Sequence, residues 1–306
     1  MACLVASVSA GCIQSSTFTS AESPTTAAAL AESFNHNLID MLYCARSSGT
    51  VVVVAHRGGV APGFPENALN SIERSTQAAP VVVELDVVRS ADGVLYLHHD
   101  DQLDRTTTGS GPYNALPWSS VVELQLIDND HVTTEQHPVS LAAALMRLRG
   151  SAFVMLDLKD RRATAEAVAM VVDSGLLEAT AFIAYDLEQA REILANAPEA
   201  SLAMGLDNAV AFAETELAPN ALIALTGAIE RKPDVPERIQ STDLFLLGGS
   251  YLSTHPLDAK LATDPVIPAF DLVASAGYQM VVSNRALLAA RYLQGQRLLV
   301  GQRACD

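Results

Sequence analysis

The sequence predicts an α/β fold, a closed (β/α)8 TIM barrel in a single domain with a flexible N-terminal tail. Apolar runs rich in Val and Leu alternate with helical patterns through most of the 306 residues. This alternation is typical of a parallel sheet that is covered on both faces. No linker interrupts it, and the length suits the roughly 250 residues of such a barrel. No apolar run leads into a GxGxxG loop, which disfavours a dinucleotide-binding fold.

The first part of the chain does not have the pattern of a barrel. We place a tail at residues 1–28 and the barrel domain at residues 29–306. Residues 1–11 are apolar or small and precede Cys12, so they resemble the end of a bacterial lipoprotein signal, in which the cysteine carries the lipid. Ser9 stands where Leu is usual, and no basic residue precedes Cys12. One interpretation is an exported, periplasmic or membrane-anchored lipoprotein, and the other is a disordered tail on a cytoplasmic chain.

Strands and helices alternate after this tail. Short, mostly apolar runs predict buried strands, and apolar residues that recur every three or four positions predict helices. The candidate strands are Val51–Ala55, Val81–Val87, Val94–His98, Phe153–Leu158, Ala181–Tyr185, Leu202–Leu206, Ala221–Leu225, Asp243–Leu247 and Met280–Ser283. The candidate helices are residues 29–47, Ala68–Ala78, Leu141–Leu148, Ala163–Asp173, Leu187–Ala197 and Ala286–Leu293. Nine candidate strands exceed the eight positions of a barrel, so at least one assignment is wrong.

Composition and charge exclude several classes of partner. The formal net charge of −16 repels the phosphate backbone of nucleic acids, so we expect no nucleic-acid partner. No apolar run approaches the roughly 20 residues of a membrane-spanning helix. The four cysteines lie near the chain ends without a CxxC pair, which disfavours a zinc or redox site. The sequence leaves open both a disulfide between Cys44 and Cys305 and the oligomeric state.

Three acidic side chains are expected at the carboxyl ends of the barrel strands, where the active sites of such barrels lie. Residues two apart in a strand share a face, so Glu84 and Asp86 point the same way in the second strand, and Asp157 lies in the fourth. Like charges this close do not all stay ionised without a cation. Because an all-oxygen ligand set suits hard ions, the triad predicts an Mg²⁺ or Ca²⁺ site, with pairing to Lys or Arg as the alternative.

Histidines and basic residues are expected beside these acids. His56 follows the first strand and His99 the third, and imidazole has a pKa suited to proton transfer. Arg57 and Lys159 supply positive charge for an anionic phosphodiester, with simple ion pairing as the alternative. The Glu66-Asn67 pair opens a helix, so it has helix capping as its alternative role.

These residues resemble the glycerophosphodiester phosphodiesterases in order and spacing. The matching motifs are His56-Arg57-Gly58, Glu66-Asn67, Glu84-Leu85-Asp86, Asp92-Gly93, His99-Asp100 and Arg105-Thr106-Thr107-x-Gly109. A looser match continues through His137–Leu141 and Leu156–Lys159. The resemblance implies a β/α barrel that uses a divalent metal and a histidine pair to cleave glycerophosphodiesters into an alcohol and glycerol 3-phosphate.

The resemblance also implies a role for each matched residue. It assigns proton transfer to His56 and His99. The implied metal ligands are Glu84, Asp86 and Asp157. The implied phosphate contacts are Arg57 and Lys159, with Glu66 beside them. The expected cofactor is therefore Mg²⁺ or Ca²⁺, and the expected partner is a small-molecule phosphodiester.

Three departures from the family pattern leave the substrate open. Position 157 holds Asp where these enzymes usually carry Glu, Ala68 replaces the Thr of an Asn-Thr step, and the Trp-Thr-Val-Asn strand near the family's carboxyl end is not recognisable. Related sphingomyelinase D-type phospholipases carry Asp at that acidic position. One alternative is therefore a phospholipase D-like enzyme acting on lysophospholipids. The other is a surface-anchored barrel that binds ligand without turnover.

Overall fold

The barrel is built from parallel strands that alternate with helices. A computed structural model describes residues 23–215, 217, 219–228, 243–250 and 276–305. The strands in these ranges are β1 (Val52–Ala55), β2 (Val81–Arg89), β3 (Leu95–Leu97), β4 (Val154–Leu158), β5 (Thr180–Ala184), β6 (Ser201–Gly205), β7 (Leu222–Ala228), β8 (Phe245–Ser250) and β9 (Met280–Ser283). Parallel pairing runs from β1 through β2 and β4 to β9, and β9 pairs again with β1. Eight strands thus close a parallel barrel, which confirms the predicted fold class.

Most of the helices in the described residues lie between strands, and the others precede the first strand or follow the last one. The helices are α1 (Ala27–Ser33), α2 (Leu38–Ser48), α3 (Leu69–Ala78), α4 (Trp118–Val121), α5 (Leu141–Leu148), α6 (Thr164–Ser174), α7 (Leu187–Asn196), α8 (Leu206–Ala213) and α9 (Ala286–Gly295). Within the described part of the chain, no helix has the length and apolar character needed to cross a bilayer.

The segment 29–47 forms two helices, so the prediction of one helix is wrong. Asn35 and His36 have left-handed φ angles of 50° and 59°, which interrupt a right-handed helix. The Asn37 side chain then accepts hydrogen bonds from two backbone N–H groups of the next turn. This N-terminal cap begins α2.

The candidate strand Val94–His98 forms β3, which lies outside the barrel. Each predicted strand overlaps a strand of the structure, but β3 pairs antiparallel with the outer end of β2. The two strands form a hairpin whose tight turn contains Gly93 with φ of 95°. The hairpin returns the chain to the level of Asp86, whose carbonyl oxygen accepts a hydrogen bond from the His98 N–H at 3.1 Å. The placement of this strand among those of the barrel is wrong, yet its end still reaches the barrel mouth.

A disulfide bond joins the two ends of the described chain. Cys44 in α2 pairs with Cys305, and their α-carbons are 4.8 Å apart, which is a usual separation for a disulfide. The backbone holds the same ends together, because the Val51 N–H donates to the Leu298 carbonyl oxygen at 2.7 Å. The pairing that the sequence left open is therefore present.

The register of the sheet explains why polar groups collect at one end of the barrel. β4 is buried along its whole length, and so is β2 apart from its last residue. Asp86 lies directly beside Asp157, and Glu84 lies beside Met155. Buried charges are costly unless they are partnered, so these acids require a polar site around them.

Candidate active site

Three buried carboxyl groups face one another at the carboxyl end of the barrel. Glu84 and Asp86 lie two residues apart on β2, and Asp157 lies beside Asp86 on β4. One oxygen from each residue lies within 4.8 Å of the others. The residues are only 4%, 1% and 8% exposed, so water screens their mutual repulsion poorly. The structure therefore brings the three predicted acids together.

Burial and neighbouring charges determine which of these acids ionise. Burial, with the charges of the other two acids, raises the pKa of Glu84 well above its usual value. Burial also raises the pKa of Asp157. Burial acts on Asp86 in the same direction, but the Lys159 ammonium and other nearby basic groups outweigh it and lower the pKa of Asp86. The triad as a whole therefore resists full ionisation until a cation offsets the repulsion.

The residues at this position fit a divalent metal ion. Oδ1 of Asp157 is buried and has no hydrogen-bond partner among the described residues, which leaves a strong acceptor free for a ligand. The Lys159 ammonium lies 2.6 Å from Asp157 Oδ2 and 3.3 Å from Asp86 Oδ1. The ion pairing considered for Lys159 is thus present. The Arg57 guanidinium also lies near Asp86 but pairs with Glu66 as well, so the positive charge nearby does not match three carboxyl groups. An all-oxygen donor set of this kind suits Mg²⁺ or Ca²⁺.

His56 begins the turn after β1, and a hydrogen bond fixes its ring. Nδ1 lies 2.7 Å from Oδ1 of Asn284. An amide oxygen can only accept, so Nδ1 carries the proton and Nε2 is the nitrogen able to take one up. Burial, followed by the charge of Arg57, lowers the pKa of His56 to about 4, so the ring is neutral at pH 7. Nε2 lies 4.0 Å from Glu84 Oε2, at the edge of the triad.

His99 reaches the same cavity from the loop after β3. Its Nδ1 lies 2.7 Å from Asp100 Oδ1, and a carboxylate accepts, so the ring donates through Nδ1. Arg105 donates to both carboxylate oxygens of Asp100, and this is the main reason that the pKa of Asp100 is well below its usual range. Asp100 therefore stays ionised and orients the His99 ring.

Arg57 joins the triad to a second cluster of charges. Its φ of 52° is uncommon for a residue with a side chain. This conformation accompanies donation of its backbone N–H to Glu84 Oε2 at 2.8 Å. Its guanidinium lies 2.9 Å from Glu66 Oε1 and 3.6 Å from Asp86 Oδ2. Arg105 donates to both oxygens of the same Glu66 at 2.9 and 2.8 Å, so two guanidinium groups hold Glu66 between them.

Asn67 supports the triad and does not cap a helix. Its side-chain amide donates to Asp86 Oδ2 at 2.8 Å, and its side-chain oxygen accepts from the Asp86 N–H at 3.1 Å. Helix α3 has Ala68 at its N-cap, with no side-chain hydrogen bond. The capping alternative for Glu66 and Asn67 is therefore wrong, because Asn67 pairs with Asp86 and Glu66 pairs with Arg57 and Arg105.

Tyr185 and Asn284 are site residues that the sequence reasoning missed. The Tyr185 hydroxyl lies 3.1 Å from Asp157 Oδ2 and 2.8 Å from the Lys159 ammonium. Asn284 holds His56, as described above. Each residue directly follows a barrel strand or lies in the turn after one. Their positions at strand ends were the signal that could have found them.

These groups line one side of a cavity of about 420 Å³ at the barrel mouth. The predicted residues that line it are His56, Arg57, Glu84, Asp86, His99, Asp157 and Lys159. Glu66 lies behind this wall and contacts Arg57. Cys12, the predicted lipidation site, lies outside the described residues. The arrangement can hold a cation, accept and donate protons, and neutralise an anion.

Residues 56–195 match the model of the glycerophosphoryl diester phosphodiesterase family. Of the described residues that line the cavity, every acid, both histidines and each basic residue lie in the matched segment. This part of the chain, 140 of its 306 residues, is therefore similar to that family. Strands β6 to β9 lie beyond the matched segment.

Individual relatives and solved structures are similar to the chain to different extents. Glycerophosphodiester phosphodiesterase 1 of Mus musculus is 34% identical over 113 residues, which cover 36% of this chain and 34% of that protein. The alignment thus spans about a third of that relative's length. A glycerophosphodiester phosphodiesterase from Agrobacterium tumefaciens is 26% identical with a TM-score of 0.62, over 79% of this chain and 99% of that one. A glycerophosphoryl diester phosphodiesterase from Parabacteroides distasonis has a TM-score of 0.72 at 20% identity, over 85% and 92%.

Proposed function

We propose that the chain hydrolyses glycerophosphodiesters to an alcohol and glycerol 3-phosphate. The observation that carries this proposal is one cavity in which two histidines lie beside three buried carboxyl groups. Breaking a phosphodiester bond requires an acid, a base and compensation of the charge on phosphorus oxygens. The cavity contains side chains suited to each task, and the match of residues 56–195 to the family model supports the substrate class.

The proposed metal ligands are Glu84, Asp86 and Asp157, with Mg²⁺ or Ca²⁺ as the ion. A divalent ion would stabilise charge on phosphoryl oxygens and lower the pKa of a hydroxyl group. The raised pKa of Glu84 supports this assignment, because it reflects repulsion that a cation would relieve. The unpartnered Oδ1 of Asp157 supports it independently.

The proposed proton transfers use the two histidines in turn. His56 Nε2 takes the proton of the attacking hydroxyl, and His99 gives a proton to the leaving alcohol oxygen. When the attacking group is the substrate's own glycerol 2-hydroxyl, the product is a cyclic phosphate, and the two histidines exchange roles when water opens it. Asn284 and Asp100 keep Nδ1 of each ring protonated, so Nε2 is the transferring nitrogen in both.

The proposed phosphate contacts are Arg57 and Lys159. Burial favours the neutral form of Lys159, but the charges of Asp157 and Asp86 outweigh it and raise its pKa. Lys159 therefore remains an ammonium ion at pH 7 and offsets negative charge on the phosphate oxygens. Glu66 holds the Arg57 guanidinium from behind, so we propose that it positions Arg57 and does not bind phosphate itself.

An assay on the purified full chain tests this function. With glycerophosphocholine as substrate, we expect release of glycerol 3-phosphate, loss of activity in EDTA and recovery on addition of Mg²⁺ or Ca²⁺. Lysophosphatidylcholine is assayed in parallel. Turnover of the lysolipid alone, with choline released, would support the phospholipase D-like alternative. Absence of turnover with either substrate and either metal would leave the non-catalytic barrel.

We propose that the chain acts outside the cytoplasm, anchored through a lipid on Cys12. The disulfide between Cys44 and Cys305 supports export, because structural disulfides persist mainly in oxidising compartments. Labelled palmitate should enter the wild-type chain in a bacterial host and not the Cys12→Ala variant. Equal labelling of the two chains, or none in the wild type, would refute the anchor.

A further inference from the structure

The cavity at the barrel mouth has two chemically different sides. The charged side chains come from β2, β4, the turn after β1 and the loop after β3. Among the described lining residues, β6 to β9 contribute no charged group. Six residues of these strands line the cavity, and together we call them the apolar wall: Gly205, Leu225, Gly227, Leu247, Gly249 and Val282.

The glycines of the apolar wall leave open space. A β-carbon on Gly205 or Gly227 would meet no atom of the described residues within 4 Å. Gly205 has φ of −51°, which any residue adopts, so the backbone does not require glycine there. The effect of glycine at this position is therefore room in the cavity, next to the leucine and valine side chains.

Apolar surface that faces a cavity gains free energy when a ligand covers it and displaces water. Leu225 is only partly buried by the protein core. A small charged alcohol such as choline would cover the apolar wall poorly. An aliphatic chain would cover it and displace water from it. The wall adjoins the charged side of the same cavity, so one substrate could contact both sides, with its phosphate near the acids and its chain along β6 to β9.

We propose that the apolar wall binds an aliphatic chain carried by the substrate. This inference rests on the proposed function and adds the substrate class: phosphodiesters with one aliphatic substituent. Two kinds of substrate share this chemistry. In a glycerophosphodiester of a long-chain alcohol the chain is on the leaving group, and in a lysophospholipid it is on the glycerol.

A chain-length series tests the proposal on the purified full chain with divalent metal. The first arm uses glycerophosphodiesters of straight-chain alcohols from ethanol to octanol. The second uses lysophosphatidylcholines of increasing acyl length. Each methylene that becomes fully buried should raise kcat/KM by up to about fourfold, until the wall is covered. The arm that shows this rise identifies the side of the phosphate that carries the chain.

Two substitutions in the apolar wall test the proposal further, and a third substitution outside the wall is their control. Gly205→Leu fills the open space, so kcat/KM should stop rising at a shorter aliphatic chain than it does for the wild type. Leu225→Asn makes the wall more polar, so the gain per methylene should fall below about twofold. Gly295→Leu is the control, because a β-carbon there also meets no atom within 4 Å, but the residue ends α9 and does not line the cavity. Gly295→Leu should show the same dependence of kcat/KM on chain length as the wild type.

The outcomes separate this inference from the proposed function. Turnover of the ethanol diester with a flat series in both arms would overturn the apolar wall and leave the hydrolase intact. Absence of turnover for every substrate would refute the hydrolase itself. Thermal unfolding checks that each variant is folded. If Gly205→Leu does not fold, the wild-type series and Leu225→Asn still decide.

Discussion

Neutralising Glu66 should destabilise the protein far more than neutralising a surface glutamate of the same kind. Glu66 is 5% exposed, and its carboxylate accepts one hydrogen bond from Arg57 and two from Arg105, at 2.8 to 2.9 Å. Glu66→Gln keeps the shape but removes the charge. It also replaces one acceptor oxygen with an amide group that faces guanidinium donors. Two cations are then left beside a neutral side chain.

The size of the effect follows from burial. Removing one partner of a buried ion pair lowers the free energy of unfolding by about 3–5 kcal/mol. The Arg105 side chain is 43% exposed, so water recovers part of its charge, and we expect a loss of about 2–3 kcal/mol. The control is Glu73→Gln. Glu73 pairs with Arg147 at 2.6 Å, but the two side chains are 37% and 57% exposed, so the expected loss is about 0–1 kcal/mol.

Urea denaturation followed by circular dichroism measures both losses at pH 7. Burial favours neutral Glu66, but the bonds from Arg105 and the charge of Arg57 outweigh it and lower its pKa below the ordinary value of 4.5. Such a group stabilises the fold above its unfolded pKa, and this contribution disappears as the pH falls through the lower, folded pKa. The difference between wild type and Glu66→Gln should therefore shrink below pH 4.5. Equal losses for the two variants at pH 7, or a pH-independent difference, would refute the argument.

Three further predictions concern the site and the chain ends. His56→Ala and His99→Ala should each lower kcat about 10²- to 10⁴-fold with an unchanged circular dichroism spectrum, and near-wild-type kcat in either would contradict its role. Asn284→Leu should lower kcat about tenfold, because it releases the His56 ring. Asn284→Asp still accepts a hydrogen bond from Nδ1, so it should keep most of the wild-type kcat. Equal losses in the two variants would argue against a role of Asn284 in orienting the ring. Replacing Cys44 and Cys305 by serine should lower the free energy of unfolding by about 2–4 kcal/mol, and an unchanged urea midpoint would show that the bond contributes nothing.

The barrel and its acids could be predicted because both depend on local sequence patterns. Apolar runs alternate with helical periodicity, and Glu84 and Asp86 are spaced to share one face of a strand. To predict the hairpin of β2 and β3, the residues of its turn must be considered as well as the apolar runs. The pair Asp92-Gly93 between two apolar runs is a hairpin signal, but periodicity alone assigns the second run to the barrel. The break before α2 likewise had its signal in Asn37, a favourable N-cap residue.

The supporting residues could not be predicted, because their partners are distant in sequence. Tyr185 contacts an acid 28 positions earlier, and Asn284 contacts a histidine 228 positions earlier. Such contacts depend on which strands close the barrel and in what register. A tyrosine or asparagine at a strand end is common, so its type alone does not indicate a partner. The Asn284 contact depends on the pairing of β9 with β1, and the Tyr185 contact depends on the pairing of β5 with β4.

The two sides of the cavity also explain why the family's pattern is dense in one half of the chain. On the charged side, most groups need a partner of a particular type and reach, because an unpaired buried charge is costly. Arg57, for example, contacts Glu66, Asp86 and Glu84 together. The apolar wall has no such requirement, since apolar residues of similar volume replace one another at small cost. The family match ends at residue 195, before the first wall residue, Gly205. Under the proposed function, chemistry at phosphorus depends on the constrained side, and we infer that substrate choice can change on the other side without disturbing it.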